Sequence, residues 1–328
     1  MKSLVLTRDG LQLADTPSPP LMPGHVRIEV RSVGISRVDL QIWKGELDVD
    51  LPLILGSQMS GVIHESSVPE FKPGVPVTSE IHITCGTCWY CKNRKNHLCR
   101  TKQTLGLTTD GAMAEYLCVP YEIVHKLTEN IDSVTGTFVE PLANAIETFA
   151  RATVEPEEKV LVLGTGKTGL LVAQVFDAFG ADVYLVGENQ WHLGVAKQLG
   201  LRNVINRTSD WKRKILDATS DIGPQVVVEA TGTEVGLKMA MDIVKSGGKV
   251  ALTGRGEDSF PLNRTSLIER EISLIGSIGG DFEMAIMMLD KGRIEVNRLV
   301  SKKFTLEQGN QAFEAATQKE VVKVNINI

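Results

Sequence analysis

The sequence lacks the features that mark several large classes of protein. Its net charge is −5 and no basic run exceeds a few residues, so it has no electrostatic footprint for nucleic acid. No apolar stretch approaches the length of a membrane-spanning helix. The N-terminal segment MKSLVLTRDG does not have the form of a signal peptide. These absences predict a soluble, cytoplasmic protein with no nucleic-acid or membrane partner.

Cysteine is also scarce, and its distribution is uneven. Four of the five cysteines lie in CGTCWYCKNRKNHLC: Cys85, Cys88, Cys91 and Cys99. This compact spacing is typical of a tetrahedral zinc site. Because four thiolates would close the coordination sphere, the spacing predicts one structural zinc. Disulfides are the alternative, which a reducing compartment disfavours.

The 328 residues are enough for two domains with substantial cores. Residues 1 to about 140 carry short β-type runs such as HVRIEVRSVGI, which predict a compact antiparallel or barrel-like domain. From Lys159 onward, apolar strands alternate with helices, as in KVLVLGTG, KTGLLVAQVFDAFG and DVYLVG. That alternation predicts a parallel sheet covered on both faces. Within it, the helix SDWKRKILDATS is expected to begin at a Ser209 cap.

A glycine-rich turn follows the first of these apolar strands. GTGKTG places Gly164, Gly166 and Gly169 in the G-x-G-x-x-G spacing, with Lys167 and Thr168 between them. The turn ends a buried strand and opens a helix, which is the context of a dinucleotide-binding fingerprint. The alternative is a tight turn with no ligand. The context favours a nicotinamide dinucleotide.

The residues that would contact the cofactor's ribose leave NAD and NADP both open. Gly187 takes the place of the acid that usually bonds the ribose hydroxyls, and a glycine leaves space for a 2′-phosphate. Glu188 follows it and would repel that phosphate. Thr231 and Gly254 end later strands and are predicted to approach the cofactor. The prediction is therefore NAD(P)(H).

Together these motifs resemble the medium-chain dehydrogenase/reductase superfamily, the zinc-type alcohol dehydrogenases, over essentially the whole chain. The resemblance is carried by GISRVDLQIWKGEL, PLILGSQMSGVI, the cysteine lobe, DGAMAEYLCVP, VEPLANAIET and GTGKTG. HITCGTC with HLC is most similar to the threonine and polyol dehydrogenase branch.

The resemblance implies an α/β fold in which a GroES-like β-rich domain is joined to a doubly wound Rossmann domain. The GroES-like substrate domain would span 1–141, with the zinc lobe at 85–99. The Rossmann domain would span 142–280, and 281–328 would return to the first domain. The resemblance also implies a small-molecule substrate and a homodimer or homotetramer formed through the sheet edge near EISLIGSI.

The chain departs from the family where alcohol-oxidising members hold a catalytic zinc. The Cys and His ligand positions match Ser36 and Ser57, and the Glu beside the His matches Gln58. Only Glu140 keeps a residue suited to the ion. Because serine hydroxyls and one amide supply little affinity for zinc, the sequence predicts a metal-free active site. There Ser36, Ser57 and Gln58 either bind substrate or only fill space and hold water.

The family's proton relay is also absent, since its positions match Val38 and Gln41. His82 matches a histidine near the substrate site of threonine dehydrogenases, and it is either the proton donor or a packing residue. Glu140, without a metal, is suited to acid work or to capping a helix. Arg37 matches a position that contacts the cofactor pyrophosphate.

Three functions follow from these residues. The first is reduction of an activated C=C, C=N or C=O bond of a small molecule, because cofactor hydride can reduce an electrophilic bond without a Lewis acid. The second is a zinc-dependent alcohol, polyol or threonine-type dehydrogenase with atypical ligands. The third is a dinucleotide-binding pseudoenzyme.

Overall fold

The computed structural model describes residues 1–256 and 259–328, which form two compact units. The first unit contains Met1–Glu140, Phe282–Lys291 and Val300–Ile328. The second contains Pro141–Asp281 and Gly292–Leu299.

The elements of the first 138 residues are mostly short strands. In chain order they are β1 (Lys2–Thr7), β2 (Gly10–Asp15), β3 (His25–Gly34), α1 (Arg37–Trp43), β4 (Leu53–Ile54), β5 (Gln58–Ser66), β6 (Pro76–Ser79), β7 (His82–Ile83), α2 (Trp89–Lys92), β8 (Gln103–Thr104), β9 (Tyr116–Pro120), β10 (Val124–Lys126) and α3 (Ser133–Gly136).

From residue 139 onward, helices and strands alternate. They are α4 (Val139–Ala152), β11 (Lys159–Leu163), α5 (Lys167–Ala178), β12 (Asp182–Gly187), α6 (Gln190–Gln198), β13 (Asn203–Asn206), α7 (Trp211–Ala218), β14 (Val226–Glu229), α8 (Glu234–Ile243), β15 (Lys249–Leu252), α9 (Arg264–Glu269) and β16 (Ser273–Gly276). The last elements are α10 (Phe282–Asp290), β17 (Val300–Thr305), α11 (Gly309–Ala316) and β18 (Lys323–Asn327). In the described part of the chain, no helix has the length and apolarity that a membrane span requires.

A seven-stranded sheet organises the first unit. Its order is β10–β6–β5–β3–β18–β17, and β9 also pairs with β3. Along β3, Val26, Ile28 and Val30 are buried while the residues between them are half-buried, as expected of a strand with one face on the core. The last strand of the chain, β18, pairs antiparallel with β3. Residues more than 280 positions apart in sequence are therefore neighbours in this sheet.

A six-stranded parallel sheet organises the second unit. Its order is β13–β12–β11–β14–β15–β16, and every paired strand runs parallel to its neighbour. Strand β11 is buried along almost its whole length, which parallel sheets require because helices cover their faces. The strand order reverses between β12 and β14, on either side of β11. The carboxyl end of β11 is therefore the usual position for a dinucleotide. The predicted α/β fold is confirmed.

Helix α7 begins differently from the sequence prediction. Asp210, not Ser209, is its N-cap, and the Asp210 carboxylate accepts a hydrogen bond from Arg213 N at 3.3 Å. The Ser209 hydroxyl instead donates to Asn206 O at 2.7 Å. Serine and aspartate are both good caps. Because the Ser209 hydroxyl is already bonded within the turn after β13, Asp210 caps the helix.

Candidate active site

The loop after β3 leads into helix α1, whose first turn is held by hydrogen bonds between Ser36 and Asp39. Ser36 is the N-cap of α1, and its Oγ accepts a hydrogen bond from Asp39 N at 3.2 Å. The same hydroxyl donates to Asp39 Oδ2 at 2.6 Å, and Ser36 N donates to that oxygen at 2.7 Å. This is a capping box, which stabilises the first turn of a helix. The arrangement favours a structural use of Ser36 over the predicted contact with substrate.

The other oxygen of Asp39 connects this helix start to the next active-site segment. Gly56 N donates to Asp39 Oδ1 at 2.9 Å. Gly56 has φ +95°, and an added Cβ there would lie 2.7 Å from Met113 Cγ, so only glycine fits. The contact brings Ser57 and Gln58 next to the start of α1. Ser57 is half-buried, and its hydroxyl has no hydrogen-bond partner among the described residues, so it is available to a ligand.

Gln58 opens β5 and lies between two charged side chains. Its Nε2 donates to Glu140 Oε2 at 2.7 Å, and its Oε1 accepts from Lys323 Nζ at 2.7 Å. Gln58 is 6% exposed and Lys323 is 2% exposed. An ammonium, an amide and a carboxylate thus form one chain of hydrogen bonds. We call Ser57, Gln58, Glu140 and Lys323 the Gln58 cluster.

The Gln58 cluster does not fit a catalytic zinc ion. Its one carboxylate belongs to Glu140, and the Gln58 amide is engaged at both ends. The Lys323 ammonium adds a positive charge beside the site, which raises the electrostatic cost of placing a cation there. Among the described residues, only the four-cysteine cluster brings together three or more His, Cys, Asp or Glu side chains that could hold an ion.

His82 lies on β7, next to the cysteine lobe. It is buried, and its Nδ1 lies 3.0 Å from Thr104 Oγ1 on the paired strand β8. Thr104 therefore sets the orientation of the ring. The role of His82 in proton donation stays a prediction.

The four cysteines of the lobe form a compact cluster. Their sulfur atoms all lie within 4.8 Å of one another, with Sγ–Sγ distances of 3.5 Å for Cys88–Cys91 and 3.6 Å for Cys85–Cys99. A tetrahedral zinc with bonds of about 2.3 Å would separate its sulfurs by about 3.8 Å, so the cluster fits this ion. Backbone hydrogen bonds from Thr87 and then Cys88 lower the pKa of Cys85 to about 5, which favours a thiolate at that position, whereas burial raises the pKa of Cys91 to about 11.

The glycine-rich turn fits a dinucleotide pyrophosphate. Gly164 has φ +111°, a conformation that favours glycine. An added Cβ at Gly169 would lie 1.9 Å from Gly164 O, so the helix passes very close to the end of β11. Gly166 caps α5 and has open space where a Cβ would stand. Lys167 and Thr168 lie in the first turn of that helix, and the N-terminal end of a helix favours an anion.

The end of β12 contains a residue pair that sequence reasoning missed. Glu188 forms an ion pair with Arg207, which follows the neighbouring strand β13. Gly187 has no room for a side chain, since an added Cβ would lie 2.3 Å from Thr165 Cγ2. A basic residue directly after NVIN was the signal available in the sequence. The carboxylate that would repel a 2′-phosphate is thus accompanied by a guanidinium that would attract one.

The buried carboxylate of Glu229 holds the turn after β14, and the backbone carbonyl of the same residue accepts a hydrogen bond from Gly254 N, after β15, at 3.1 Å. Glu229 accepts hydrogen bonds from Thr231 N at 2.7 Å and from Gly232 N at 3.1 Å. An added Cβ at Gly254 would lie 2.5 Å from Gly232 N, so these two loops pack backbone against backbone. This fixes Thr231 and Gly254 at the carboxyl edge of the sheet, where the sequence places the cofactor. Arg37 is the exposed first residue of α1, and its pyrophosphate contact stays a prediction.

Comparisons with known proteins agree across the chain. Residues 22–129 match the family described as alcohol dehydrogenase GroES-like domain, and residues 168–291 match the family described as zinc-binding dehydrogenase. The chain is 30% identical to the sorbitol dehydrogenase of Halalkalibacterium halodurans, covering 99% of this chain and 98% of that protein. It is 29% identical to the L-threonine 3-dehydrogenase of Chelativorans sp., with the same coverage.

One solved structure extends the similarity to three dimensions. It is from Sinorhizobium meliloti 1021, is described as a zinc-binding dehydrogenase and is bound to NADP. The two chains share 25% identity and a TM-score of 0.93, over 100% of this chain and 99% of that one.

Proposed function

Because the chain belongs to the zinc-type medium-chain dehydrogenase/reductase superfamily, in its threonine and polyol dehydrogenase branch, we propose that it is an NAD(P)H-dependent reductase that uses no catalytic metal ion. Its substrate would be a small molecule with an activated C=C, C=N or C=O bond. The observation that carries the proposal is the hydrogen-bonded chain from Lys323 through Gln58 to Glu140, at the place where metal ligands would otherwise stand.

The Gln58 cluster would stabilise the negative charge that develops on the substrate and would supply the proton that the product needs. The bound nicotinamide cofactor would supply a hydride, whose arrival displaces the π electrons of the reacting bond to its far atom. Ser57 can donate a hydrogen bond to that atom as negative charge develops. Glu140, in its protonated form, can then transfer a proton to it and be restored by water. His82 is the alternative proton donor.

The lobe of residues 85–99 would hold the structural zinc. Four thiolates fill the coordination sphere and leave no position for a substrate, so this ion would contribute to folding only. Free thiols of this kind persist in a reducing compartment, which supports a cytoplasmic location.

Replacing Glu140 with glutamine tests its proposed role as the proton donor. Glu140→Gln preserves the side-chain shape and an acceptor for Gln58, but it cannot donate an acidic proton. Reduction of enones, cyclic imines and activated ketones would be followed with NADH and NADPH, and kcat should fall by about a hundredfold or more. The matched control is Glu147→Gln, because Glu147 lies on the same helix and pairs with Arg151 at the surface. If both variants keep wild-type kcat, the acid role of Glu140 is wrong.

A zinc-dependent polyol or threonine-type dehydrogenase with atypical ligands is the second candidate. The similarity to a sorbitol and a threonine dehydrogenase supports it. It requires an ion at the Gln58 cluster in addition to the one in the lobe. Oxidation of sorbitol or threonine that depends on a second zinc would favour this function over the first.

We also propose that the molecule is a homodimer or homotetramer joined through β16. This strand is at one edge of the six-stranded sheet, and Leu274 and Ile275 remain half-buried there. An uncovered edge strand is suited to pairing with the same strand of a second copy. Light scattering of the wild type and of Ile275→Lys would test it, since the variant should be monomeric.

A further inference from the structure

We propose that Lys323 is a positioning residue of the active site, which fixes the orientation of Gln58 and, through it, of Glu140. The inference rests on the proposed function, because it concerns how the same site is organised. Lys323 does so from the last strand of the chain, β18, in the sheet of the first unit.

The surroundings of Lys323 are built to accommodate a buried ammonium. Its Nζ lies 2.7 Å from Gln58 Oε1, 3.4 Å from Thr137 O and 4.6 Å from the centre of the Phe138 ring. Two oxygen acceptors and an aromatic face each stabilise a cation. Burying a charge is costly unless such partners are present, so these contacts are what allow a lysine to occupy this position.

Gly34 makes this position possible. Gly34 lies opposite Gln58 in the pairing of β3 with β5. An added Cβ at Gly34 would lie 2.2 Å from both Cε and Nζ of Lys323. The backbone of β3 therefore leaves the space that the ammonium occupies, directly beside the Gln58 amide.

The hydrogen-bonding capacity of the three groups allows one orientation of the Gln58 amide. An ammonium only donates, so it must face Oε1, and the Glu140 oxygen that accepts from the amide must face Nε2. A rotated amide would place its N–H groups against Lys323 and its oxygen against Glu140. Lys323 excludes this arrangement and polarises the amide, which strengthens the bond to Glu140.

The same strand also braces the turn that precedes Glu140. Asn325 Nδ2 donates to Thr137 Oγ1 at 3.0 Å and to Ser32 Oγ at 3.0 Å. Lys323 contacts the carbonyl of that same threonine. Strand β18 therefore supports Glu140 from two directions, through the amide of Gln58 and through the backbone of residue 137.

The test measures the Gln58 amide directly and does not depend on turnover. Full-length protein labelled with 15N-glutamine would be compared as wild type and Lys323→Met, with the Gln58 side-chain resonance assigned from its loss in Gln58→Met. The Gln58 amide protons should shift clearly in Lys323→Met. The control is Lys302→Met, because Lys302 Nζ lies at the same 2.7 Å from Gln318 Oε1 but at the surface. That variant should leave the Gln58 resonance unchanged.

Kinetics with a reducible substrate provide the second readout. If Lys323→Met displaces the Glu140 carboxyl group, kcat should fall by on the order of tenfold to a hundredfold, while KM for the cofactor should stay unchanged. Gln58→Met should cause the same loss, and the double variant no further loss, because both residues act on Glu140 in series. An unmoved Gln58 resonance in Lys323→Met overturns the inference. A double variant whose loss in kcat equals the product of the two single losses also overturns it.

The two proposals can fail separately. If the resonance shifts but no substrate is reduced, the positioning of Gln58 stands and the reductase function does not. If reduction is observed and the resonance is unmoved, only the role of Lys323 is wrong. Should Lys323→Met not fold, Gln58→Met and Lys323→Arg take its place in the kinetic comparison. Retention of wild-type kcat in Gln58→Met would then contradict the inference.

Discussion

At the scale of single residues, hydrogen bonds already made within the protein determine what the active-site loop can bind. The Ser36 hydroxyl donates to Asp39 and so is engaged by the helix that it caps. The Gln58 amide is engaged by Lys323 and Glu140. Of the three residues Ser36, Ser57 and Gln58, Ser57 is the one whose side chain is left to contact a ligand. The polar side chains of Ser36 and Gln58 could have interacted with substrate, but their hydrogen bonds instead fix the conformation of the site.

Replacing two residues should create a catalytic metal site. Ser36→Cys with Ser57→His would supply a thiolate and an imidazole, which together with the Glu140 carboxylate make the three-ligand set of a catalytic zinc. We expect zinc content to rise from one to two ions per chain, measured by plasma mass spectrometry after dialysis. Ser36→Cys alone is the control and should stay at one. A double variant that binds no additional zinc would show that the Gln58 cluster excludes metals for another reason.

Glu188 should control the preference between the two cofactors. Its carboxylate is paired with Arg207. Glu188→Gln removes the charge that opposes a 2′-phosphate and releases the guanidinium to bind it. The Kd for NADPH should fall by roughly three- to tenfold, which corresponds to about 1 kcal/mol for a surface ion pair, and the Kd for NADH should change little. Isothermal titration with both cofactors measures this, and equal changes for the two would contradict it.

At the scale of elements, helix α10 is bonded to β10, within the first unit, by a titratable contact. His125 Nδ1 lies 2.8 Å from Glu283 Oε1 on α10, and His125 Nε2 lies 3.1 Å from Glu80 Oε1. The imidazole also stacks on Phe282, with ring centres 5.0 Å apart. Asp290, at the other end of the helix, accepts from Thr128 at 2.6 Å. Both ends of α10 are therefore bonded to the segment around β10.

This contact should make stability depend on pH. Burial lowers the pKa of His125, but hydrogen bonds and attraction from Glu80 and Glu283 outweigh it, so its pKa is raised above 6.5. A raised pKa means that the stabilisation is full below the unfolded value and is lost as the pH rises through the folded value. His125→Gln should be less stable than wild type by on the order of 1 kcal/mol at pH 5.5.

That difference should shrink as the pH rises above the folded pKa of His125. Urea unfolding of both proteins across a pH series measures it. His64→Gln is a control, since His64 is exposed on β5. A difference that is the same at all pH values would contradict the prediction.

The alternating elements of the second unit could be predicted from the sequence because each depends on local pattern. KVLVLGTG, DVYLVG and VVVE are apolar runs bounded by turns, and each is a strand close to its predicted position. The glycine spacing and the cysteine spacing are also local, and the structure gives both the geometry that they predict. The position of the Ser209 cap was wrong because two adjacent residues could serve equally well.

The contacts of the Gln58 cluster could not be predicted, because they depend on pairings between distant segments. Lys323 reaches Gln58 only because β18 pairs with β3, and Gln58 lies opposite Gly34 on the other side of β3. The one signal in the sequence was a lysine inside the strand VVKVNINI, where a buried position normally takes an apolar residue. The same limit applies to Arg207, which is on a different strand from Glu188.

At the scale of the whole molecule, the two units divide the chemistry. The second unit holds the glycine-rich turn and the carboxyl edge of the parallel sheet, which fit the cofactor. The first unit holds the Gln58 cluster and the four-cysteine lobe. Within that unit, the thiolates suited to zinc lie in the lobe of residues 85–99. The ammonium of Lys323, which opposes a cation, lies in the Gln58 cluster. Metal content and reductase activity should therefore be separable in one protein.

Zinc content measured together with turnover tests this claim most directly. Protein grown with added zinc would be passed through a mild chelator, and its zinc per chain and its NAD(P)H-dependent reduction would be determined on the same sample. We predict one zinc per chain and full reductase activity after the treatment. Two zinc ions per chain before treatment, with activity lost in proportion to removal of the second, would contradict the account.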